Sequence, residues 1–183
     1  YANEPEKGPT LIETDEGYEA VYFDGTGYLV VPHDDNLNAD DSFSVVVVLK
    51  SESGNRVMQK KSGDAGTSTD AWYFARARGL SVGGQDTGTA IMEGKDLMVV
   101  TNILDAHAGT ITFYQDGEFL YQVSEVVPQV PNTDDLWLGL RDYGNPLAWV
   151  GEMYELFIFK RALTNEEQAV LEYYLMQKYG LRQ

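Results

Sequence analysis

Short apolar runs separated by turn residues recur along this chain, and this pattern constrains its fold more than any other feature. About ten or eleven such runs, among them "EAVYF", "TITFYQ" and "YELFIFK", have the length and composition of strands. The pair Asp116-Gly117 after "TITFYQ" predicts a tight hairpin. The run "FSVVVVLK" is almost wholly apolar, which predicts a strand buried on both faces. The chain is therefore predicted to be an all-β, antiparallel β-sandwich of the jelly-roll type.

One helix is predicted at the end of the chain, over residues 164–179. Thr164 and Glu167 fit a capping box, and Gly180 suits the left-handed position that follows a last helical turn. The helix is expected to close the domain by packing an apolar stripe on the sandwich. That stripe comprises Val170, Leu171, Tyr174 and Leu175.

Length, charge and cysteine content limit the possible functions. The 183 residues are expected to form a single domain, with residues 1–12 as an extended lead-in. The formal net charge of −16 disfavours nucleic acid and anionic membranes as partners. No apolar run approaches the ~20 residues that span a bilayer, so membrane insertion is not expected. The absence of cysteine excludes disulfides and thiolate metal sites.

The turn Asp24-Gly25-Thr26-Gly27 permits two interpretations, a phosphate-binding loop or a turn in a sugar-binding sandwich. A phosphate loop needs a helix directly after its glycines, because the N–H groups at the helix start hold the phosphate. Here "YLVVP" follows, which is typical of a strand. The turn is therefore predicted to form a hairpin between "EAVYF" and "YLVVP", and nucleotide binding is not expected.

Three stretches together resemble the laminin-G-like jelly rolls of the concanavalin A-like lectin/glucanase superfamily. They are "AVYFDGTGYLVVP", "GTITFYQDGEFL" and "WVGEMYELFIFKRALTNEEQAVLEYYLMQKYGL". The resemblance implies two antiparallel sheets, one of them curved. It also implies a carbohydrate-binding or adhesion module of a larger secreted or cell-surface protein, although some relatives are glycosidases. An extracellular or cell-surface location is accordingly expected.

The resemblance also raises the question of a structural calcium ion. Many relatives hold one with an aspartate on the closing strand, and Tyr154, a poor calcium ligand, stands at that position here. Asp24 and Glu155 are the carboxylates nearby in the pattern and are the candidate metal ligands. No cofactor is expected to be required, and calcium binding stays open.

The glucanases of this fold carry E-x-D-x-x-E on one strand, which places their catalytic carboxylates on one sheet face. The nearest match here begins at Glu13, and Tyr18 replaces its third acid. His33 and His107 are separated in the sequence and are expected to lie in surface loops. No enzymatic activity is predicted. The acidic residues of this stretch are interpreted as a solvated edge: Glu13, Asp15, Glu16 and Glu19.

A first candidate ligand site is "LWLGLRDYGNPLAW". If its leucines point inward, Trp137 and Arg141 share the other face of the strand. Aromatic faces stack on sugar rings, and planar polar side chains bond neighbouring hydroxyls. The alternative is that the two tryptophans are structural. The loop adds the candidates Asp142, Tyr143, Asn145 and Trp149.

A second candidate site is "AWYFARAR", in which Trp72, Phe74, Arg76 and Arg78 alternate onto one face. Together with Lys60 and Lys61 on a paired strand, the arginines would form a basic patch suited to an acidic glycan. The alternative is ion pairing with the protein's own carboxylates, which contributes little at an exposed site.

Three functions follow from these patterns. The first is a non-catalytic, lectin-like carbohydrate-binding domain with a polysaccharide or other glycan as ligand. The second is a protein-protein interaction or structural adhesion domain, and the third is a glycosidase or polysaccharide lyase. An exposed aromatic platform would favour the first function, a flat apolar patch the second, and two facing carboxylates in a groove the third.

Overall fold

The computed structural model describes residues 8–60, 72–76, 79–82, 96–139 and 148–181. A short 3-10 helix (Asp35–Leu37) and an α-helix, α1 (Asn165–Lys178), accompany the strands. In chain order the strands are β1 (Thr10–Glu13), β2 (Glu19–Asp24), β3 (Leu29–Val31), β4 (Phe43–Gly54), β5 (Arg56–Lys60), β6 (Trp72–Ala75), β7 (Gly79–Val82), β8 (Leu97–Asp105), β9 (Thr110–Gln115), β10 (Glu118–Ser124), β11 (Leu136–Leu138) and β12 (Trp149–Phe159).

These strands form two antiparallel sheets. The larger has seven strands in the order β1-β2-β12-β4-β8-β9-β10, and the smaller has five in the order β3-β11-β5-β6-β7. The long strands β4 and β12 pair at the middle of the larger sheet. The prediction of an all-β antiparallel sandwich with a C-terminal helix is confirmed.

The alternation of side chains along β4 explains why this strand is buried on both faces, as predicted. Val45, Val47 and Leu49 belong to the core between the sheets. Val46 and Val48 belong to a second cluster on the opposite face, which includes the helix residues Leu175 and Met176. The helix therefore covers part of the outer face of the seven-stranded sheet.

The turn at Asp24 does not form the predicted hairpin. It connects β2, in the seven-stranded sheet, to β3, in the five-stranded sheet. The Asp24 carboxylate accepts hydrogen bonds from the Thr26 N–H (2.8 Å), the Thr26 hydroxyl (2.7 Å) and the Gly27 N–H (3.3 Å). These bonds favour the ionised form and lower the pKa of Asp24. They stabilise a turn between two sheets equally well, so the local sequence does not distinguish the two outcomes.

The Asp116-Gly117 hairpin is confirmed. Both residues have the positive φ angles (51° and 85°) that such a two-residue turn requires, and Gln115 pairs with Glu118 across it.

The ends of α1 are as predicted, but its buried face is so only in part. Thr164 and Glu167 form a complete capping box, and the Leu181 N–H donates to the Met176 carbonyl (2.9 Å) after Gly180. Half of the predicted stripe is confirmed, because Leu175 is buried and Leu171 packs against the same cluster. The other half is wrong: Val170 is 65% and Tyr174 57% exposed. The helix instead buries Gln168, Glu172, Leu175 and Met176.

The physical reason for this orientation is a polar contact together with apolar burial. The Gly117 N–H, at the β9-β10 turn, donates to the Glu172 carboxylate at 2.6 Å. This hydrogen bond and the burial of Leu175 and Met176 beside it hold this face of the helix toward the sheet. Val170 and Tyr174 then point away from it.

Candidate functional site

The outer face of the five-stranded sheet carries the candidate site. On β11, Leu136 and Leu138 point into the core, so Trp137 lies on the opposite face and is partly exposed, as predicted. The pairing of β11 with its two neighbours places Val30 and Gln59 directly beside Trp137.

The same row continues across the sheet. Gln59 pairs with Tyr73 on β6, and Tyr73 pairs with Ser81 on β7. A line of side chains therefore crosses all five strands on one face: Val30, Trp137, Gln59, Tyr73 and Ser81.

Trp137 is held in place by a second aromatic ring. The Tyr28 ring, from the segment that leads into β3, stacks on the indole with centroids 5.0 Å apart and planes inclined by 19°. Tyr28 is 8% exposed, so the pair is supported from the protein side while Trp137 keeps part of its surface. Stacking of this kind fixes the orientation of an aromatic platform before a ligand arrives.

A cationic group lies further along the same face. The Arg56 guanidinium lies 3.1 Å from the centroid of the Tyr73 ring, in a cation-π contact. Arg56 and Tyr73 are each 7% exposed, and Gln59 and Ser81 are almost completely buried. The site therefore combines one accessible aromatic ring with amide, hydroxyl and guanidinium groups held close to the sheet.

Trp72 and Trp149, both candidate ligand residues, are core residues. Each is fully buried, so neither offers a ring face to a ligand. The Trp72 indole N–H donates to the Leu37 carbonyl (2.7 Å), and that of Trp149 donates to the Ser51 hydroxyl (3.0 Å). These contacts fit the structural alternative for Trp149. Other predicted ligand residues lie outside the described residues: Arg78, Arg141, Asp142, Tyr143 and Asn145.

The face of β6 that was expected to meet a ligand is the core face. Trp72 and Phe74 point inward, and Tyr73 and Ala75 lie on the outer face. Large apolar rings contribute more by burial than small residues do, and this preference outweighs the pattern of basic residues that suggested the opposite. Arg76 is half-buried just after β6, where its backbone N–H donates to the Asn55 backbone carbonyl (2.8 Å).

Lys60 also differs from its predicted role in a basic patch, because it is fully buried. Its ammonium donates to the Asp134 carbonyl and to Nδ1 of His33 (3.0 Å), while Nε2 of His33 lies 3.3 Å from the Asp35 carboxylate. Burial lowers the pKa of Lys60. His33 is thus a partner of a buried lysine rather than an isolated surface histidine.

The two candidate metal ligands lie apart. Asp24 pairs with Val150, and Glu155 lies five residues further along β12, about 16–17 Å away at the usual strand rise. Glu155 instead accepts hydrogen bonds from Lys178 (2.5 Å) and Tyr179 (2.8 Å). Within the described ranges, no group of three or more His, Asp or Glu side chains could hold a metal ion.

The acidic residues near β1 are exposed, which confirms their interpretation as a solvated edge: Glu13, Asp15, Glu16 and Glu19. Among the described residues, no helix has both the length and the apolar character needed to span a bilayer.

Sequence analysis missed Tyr28, Arg56, Gln59 and Tyr73. Successive side chains of a strand point to opposite faces, so the apolar Met58 in "RVMQK" indicates that Gln59 lies on the outer face. Tyr28 and Arg56 carry no such signal, because they reach Trp137 and Tyr73 only through pairing between distant strands.

The fold is shared with known binding domains, although no protein-family model and no curated protein matches the chain. The binding domain of botulinum neurotoxin DC in complex with SialylT matches 92% of this chain with a TM-score of 0.63 and 11% identity. The botulinum neurotoxin serotype G binding domain matches 92% with a TM-score of 0.65 and 12% identity. This chain spans about half of those two chains, 45% of each.

A third solved structure is similar over most of its own length. Domain 4 of AbnA, a GH43 extracellular arabinanase from Geobacillus stearothermophilus, in complex with arabinotriose, matches 90% of this chain and 81% of that one. The TM-score is 0.62 and the identity 17%. At these identities the likeness shows the fold alone.

Proposed function

We propose that this chain is a non-catalytic carbohydrate-binding domain whose ligand surface is the outer face of the five-stranded sheet around Trp137. The observation that carries the proposal is the partly exposed Trp137 ring stacked on Tyr28, beside Gln59. A tryptophan face matches the apolar C–H face of a pyranose. Gln59 is almost completely buried, so the polar groups proposed to bond sugar hydroxyls are those of the candidates Arg141, Asp142 and Asn145.

The position of this ring on the molecule supports the proposal. Helix α1 packs against the seven-stranded sheet, so the outer face of the other sheet is not used for that packing. The candidates Arg141, Asp142, Tyr143 and Asn145 follow Trp137 closely in the sequence and remain part of the proposed site.

The structural neighbours agree with this function. One is a neurotoxin binding domain solved with SialylT, and another is domain 4 of an extracellular arabinanase solved with arabinotriose. By analogy, the domain belongs to a larger secreted or cell-surface protein, and the laminin-G-like resemblance is kept within the same proposal. The ligand class stays at the level of glycans.

A glycan array followed by titration calorimetry tests the proposal on the wild-type chain, Trp137→Ala and a control, Phe119→Ala. Phe119 is also an exposed aromatic residue (59%), but it lies on β10 of the other sheet. We expect Trp137→Ala to weaken binding at least tenfold, because a central aromatic contact is worth about 2 kcal/mol or more. Phe119→Ala should bind normally.

Two results would overturn the proposal. One is the absence of binding to any glycan, which would favour the protein-interaction alternative. The other is equal binding by wild type and Trp137→Ala, which would place the ligand elsewhere.

A further inference from the structure

A surface groove lies beside the C-terminal end of α1, over the edge of the seven-stranded sheet and away from Trp137. It has a volume of about 630 Å³, and a smaller groove of about 260 Å³ adjoins it. Three tyrosines line both: Tyr18, Tyr154 and Tyr179. They come from the segment before β2, from β12 and from the end of the helix, so only the folded chain brings them together.

The three rings form a fixed cluster. Tyr179 is central, with Tyr18 at 5.0 Å and Tyr154 at 5.5 Å between ring centroids, both in edge-to-face contact. Tyr179 is 8% exposed, whereas Tyr18 and Tyr154 keep part of their surface. Rings held in this way present a pre-organised aromatic wall to the groove.

One of the chain's own ammonium groups already contacts this wall. Nζ of Lys178 lies 5.3 Å from the centroid of the Tyr179 ring and 2.5 Å from the Glu155 carboxylate. The Tyr179 hydroxyl donates to the same carboxylate oxygen at 2.8 Å. The wall therefore offers an ammonium ion both a ring and a carboxylate, which is the combination that recognises cationic ligands.

A second carboxylate repeats the arrangement. The Tyr154 hydroxyl donates to Glu152 at 2.5 Å, and Nζ of Lys50 lies 3.4 Å from the other oxygen. The side chains of Lys50 and Lys178 are 38% and 42% exposed. The carboxylates are less exposed, 12% for Glu152 and 19% for Glu155, so an incoming ammonium group would have to displace the exposed lysine ammonium group and take its place beside the carboxylate.

The charge of the groove favours a cation. Lys50 and Lys178 are outnumbered by five acidic residues on or next to its walls, Glu16, Glu19, Asp96, Glu152 and Glu155. Burial, and to a lesser degree the neighbouring glutamate, raises the pKa of Tyr154. The same two causes raise the pKa of Tyr179 to about 12, so both hydroxyls stay protonated. An acidic glycan would be repelled here.

We propose that this groove is a second ligand site, which takes a glycan unit with a free amino group, a hexosamine without its N-acetyl group. Its ring would pack against the exposed parts of Tyr18 and Tyr154, and its ammonium group would pair with Glu155, which lines the groove. The hydroxyls of a sugar also suit a wall made of tyrosine hydroxyls and carboxylates. The site is separate from Trp137, so it does not depend on the function proposed above.

Isothermal titration at pH 6 with the glucosamine disaccharide, in which the amines are charged, tests this inference. The matched ligand is the N,N′-diacetylated disaccharide, which lacks the charges. We expect the amino form to bind at least tenfold more tightly. Glu155→Gln, which removes the charge that pairs with the ammonium group, and Tyr18→Leu, which removes an aromatic face against which the sugar packs, should each weaken it about threefold to tenfold.

Three controls make the test specific. Glu166→Gln removes the same charge at an exposed site on the first turn of α1 and should bind normally. Trp137→Ala should also bind normally, which separates this site from the other one. Thermal melting of each variant confirms that it is folded.

Equal binding of the two disaccharides would overturn the inference, as would an equal loss in Glu166→Gln, which would indicate general charge attraction. If a lysine tripeptide binds as tightly as the amino disaccharide, the groove recognises basic peptides instead.

Discussion

Trp149→Phe should cost stability and leave glycan affinity unchanged, because the Trp149 ring is fully buried between the sheets. The indole N–H donates to the Ser51 hydroxyl at 3.0 Å, and the ring centroid lies 5.3 Å from that of Phe23. A Cβ on Gly151 would approach the indole to 2.5 Å, which shows how closely the backbone packs on it. Phenylalanine fills only part of this space and cannot donate a hydrogen bond.

The expected loss has two parts. A buried Ser51 hydroxyl without its partner costs about 1–3 kcal/mol. The smaller ring loses about 1–2 kcal/mol of buried apolar contact. The sum is about 2–5 kcal/mol, which lowers the Tm by about 4–20 °C for a chain of this length.

Urea and thermal unfolding followed by circular dichroism would measure the change, and calorimetry would give the glycan affinity. Ser51→Ala and the double variant Ser51→Ala/Trp149→Phe complete a cycle that isolates the hydrogen bond. We expect the double variant to lose less than the sum of the two single losses, by about 1 kcal/mol. An unchanged Tm together with lost glycan binding would refute this reasoning and return Trp149 to the ligand site.

Three further predictions concern stability. Burial raises the pKa of Glu172, so the contribution of its protonated form to folding stability is present at low pH and is lost as the pH rises through its folded-state pKa. Glu172→Gln should therefore raise the Tm at pH 7, and this gain in Tm should shrink toward pH 4. A gain in Tm that does not change with pH would contradict this prediction. Gly139 has φ +87° and a Cβ there would lie 2.2 Å from Phe23, whereas Gly17 has φ +81° and open space around it. Urea unfolding should therefore show that Gly139→Ala lowers the free energy of unfolding by about 2–5 kcal/mol and Gly17→Ala by only about 1–2 kcal/mol. Equal losses would show that the contact with Phe23 is relieved in the variant. Thr164→Ala removes the helix cap and should lower the free energy of unfolding by about 1 kcal/mol, whereas Thr164→Ser should lower it little. Thermal melting compares the two variants, and equal losses of stability would exclude the cap as the cause.

Features decided over a few neighbouring residues could be predicted from the sequence. The Asp116-Gly117 turn and the capping box of Thr164 and Glu167 are confirmed, because each depends on φ angles and hydrogen bonds within one short segment. The alternation in "LWL" correctly placed Trp137 opposite two buried leucines. The outward direction of the main candidate ligand residue was therefore available from the sequence.

Features that depend on distant partners could not be predicted. The β6 pattern allowed either face to be buried, and the core beneath Trp72 and Phe74 decided between them. The contact between Glu172 and the Gly117 N–H helped to turn α1 away from half of its predicted stripe, although the two residues are far apart in the sequence.

The sequence by itself determined the sandwich, the Asp116-Gly117 turn, the capped helix and the outward direction of Trp137. Each of these follows from local backbone preferences or from side-chain alternation along one strand. Only the tertiary structure decided that Tyr28 supports Trp137 and that Arg56 covers Tyr73. These contacts depend on which strands pair and in which register, and the free energy that selects the pairing comes from burying the whole core rather than from any single segment.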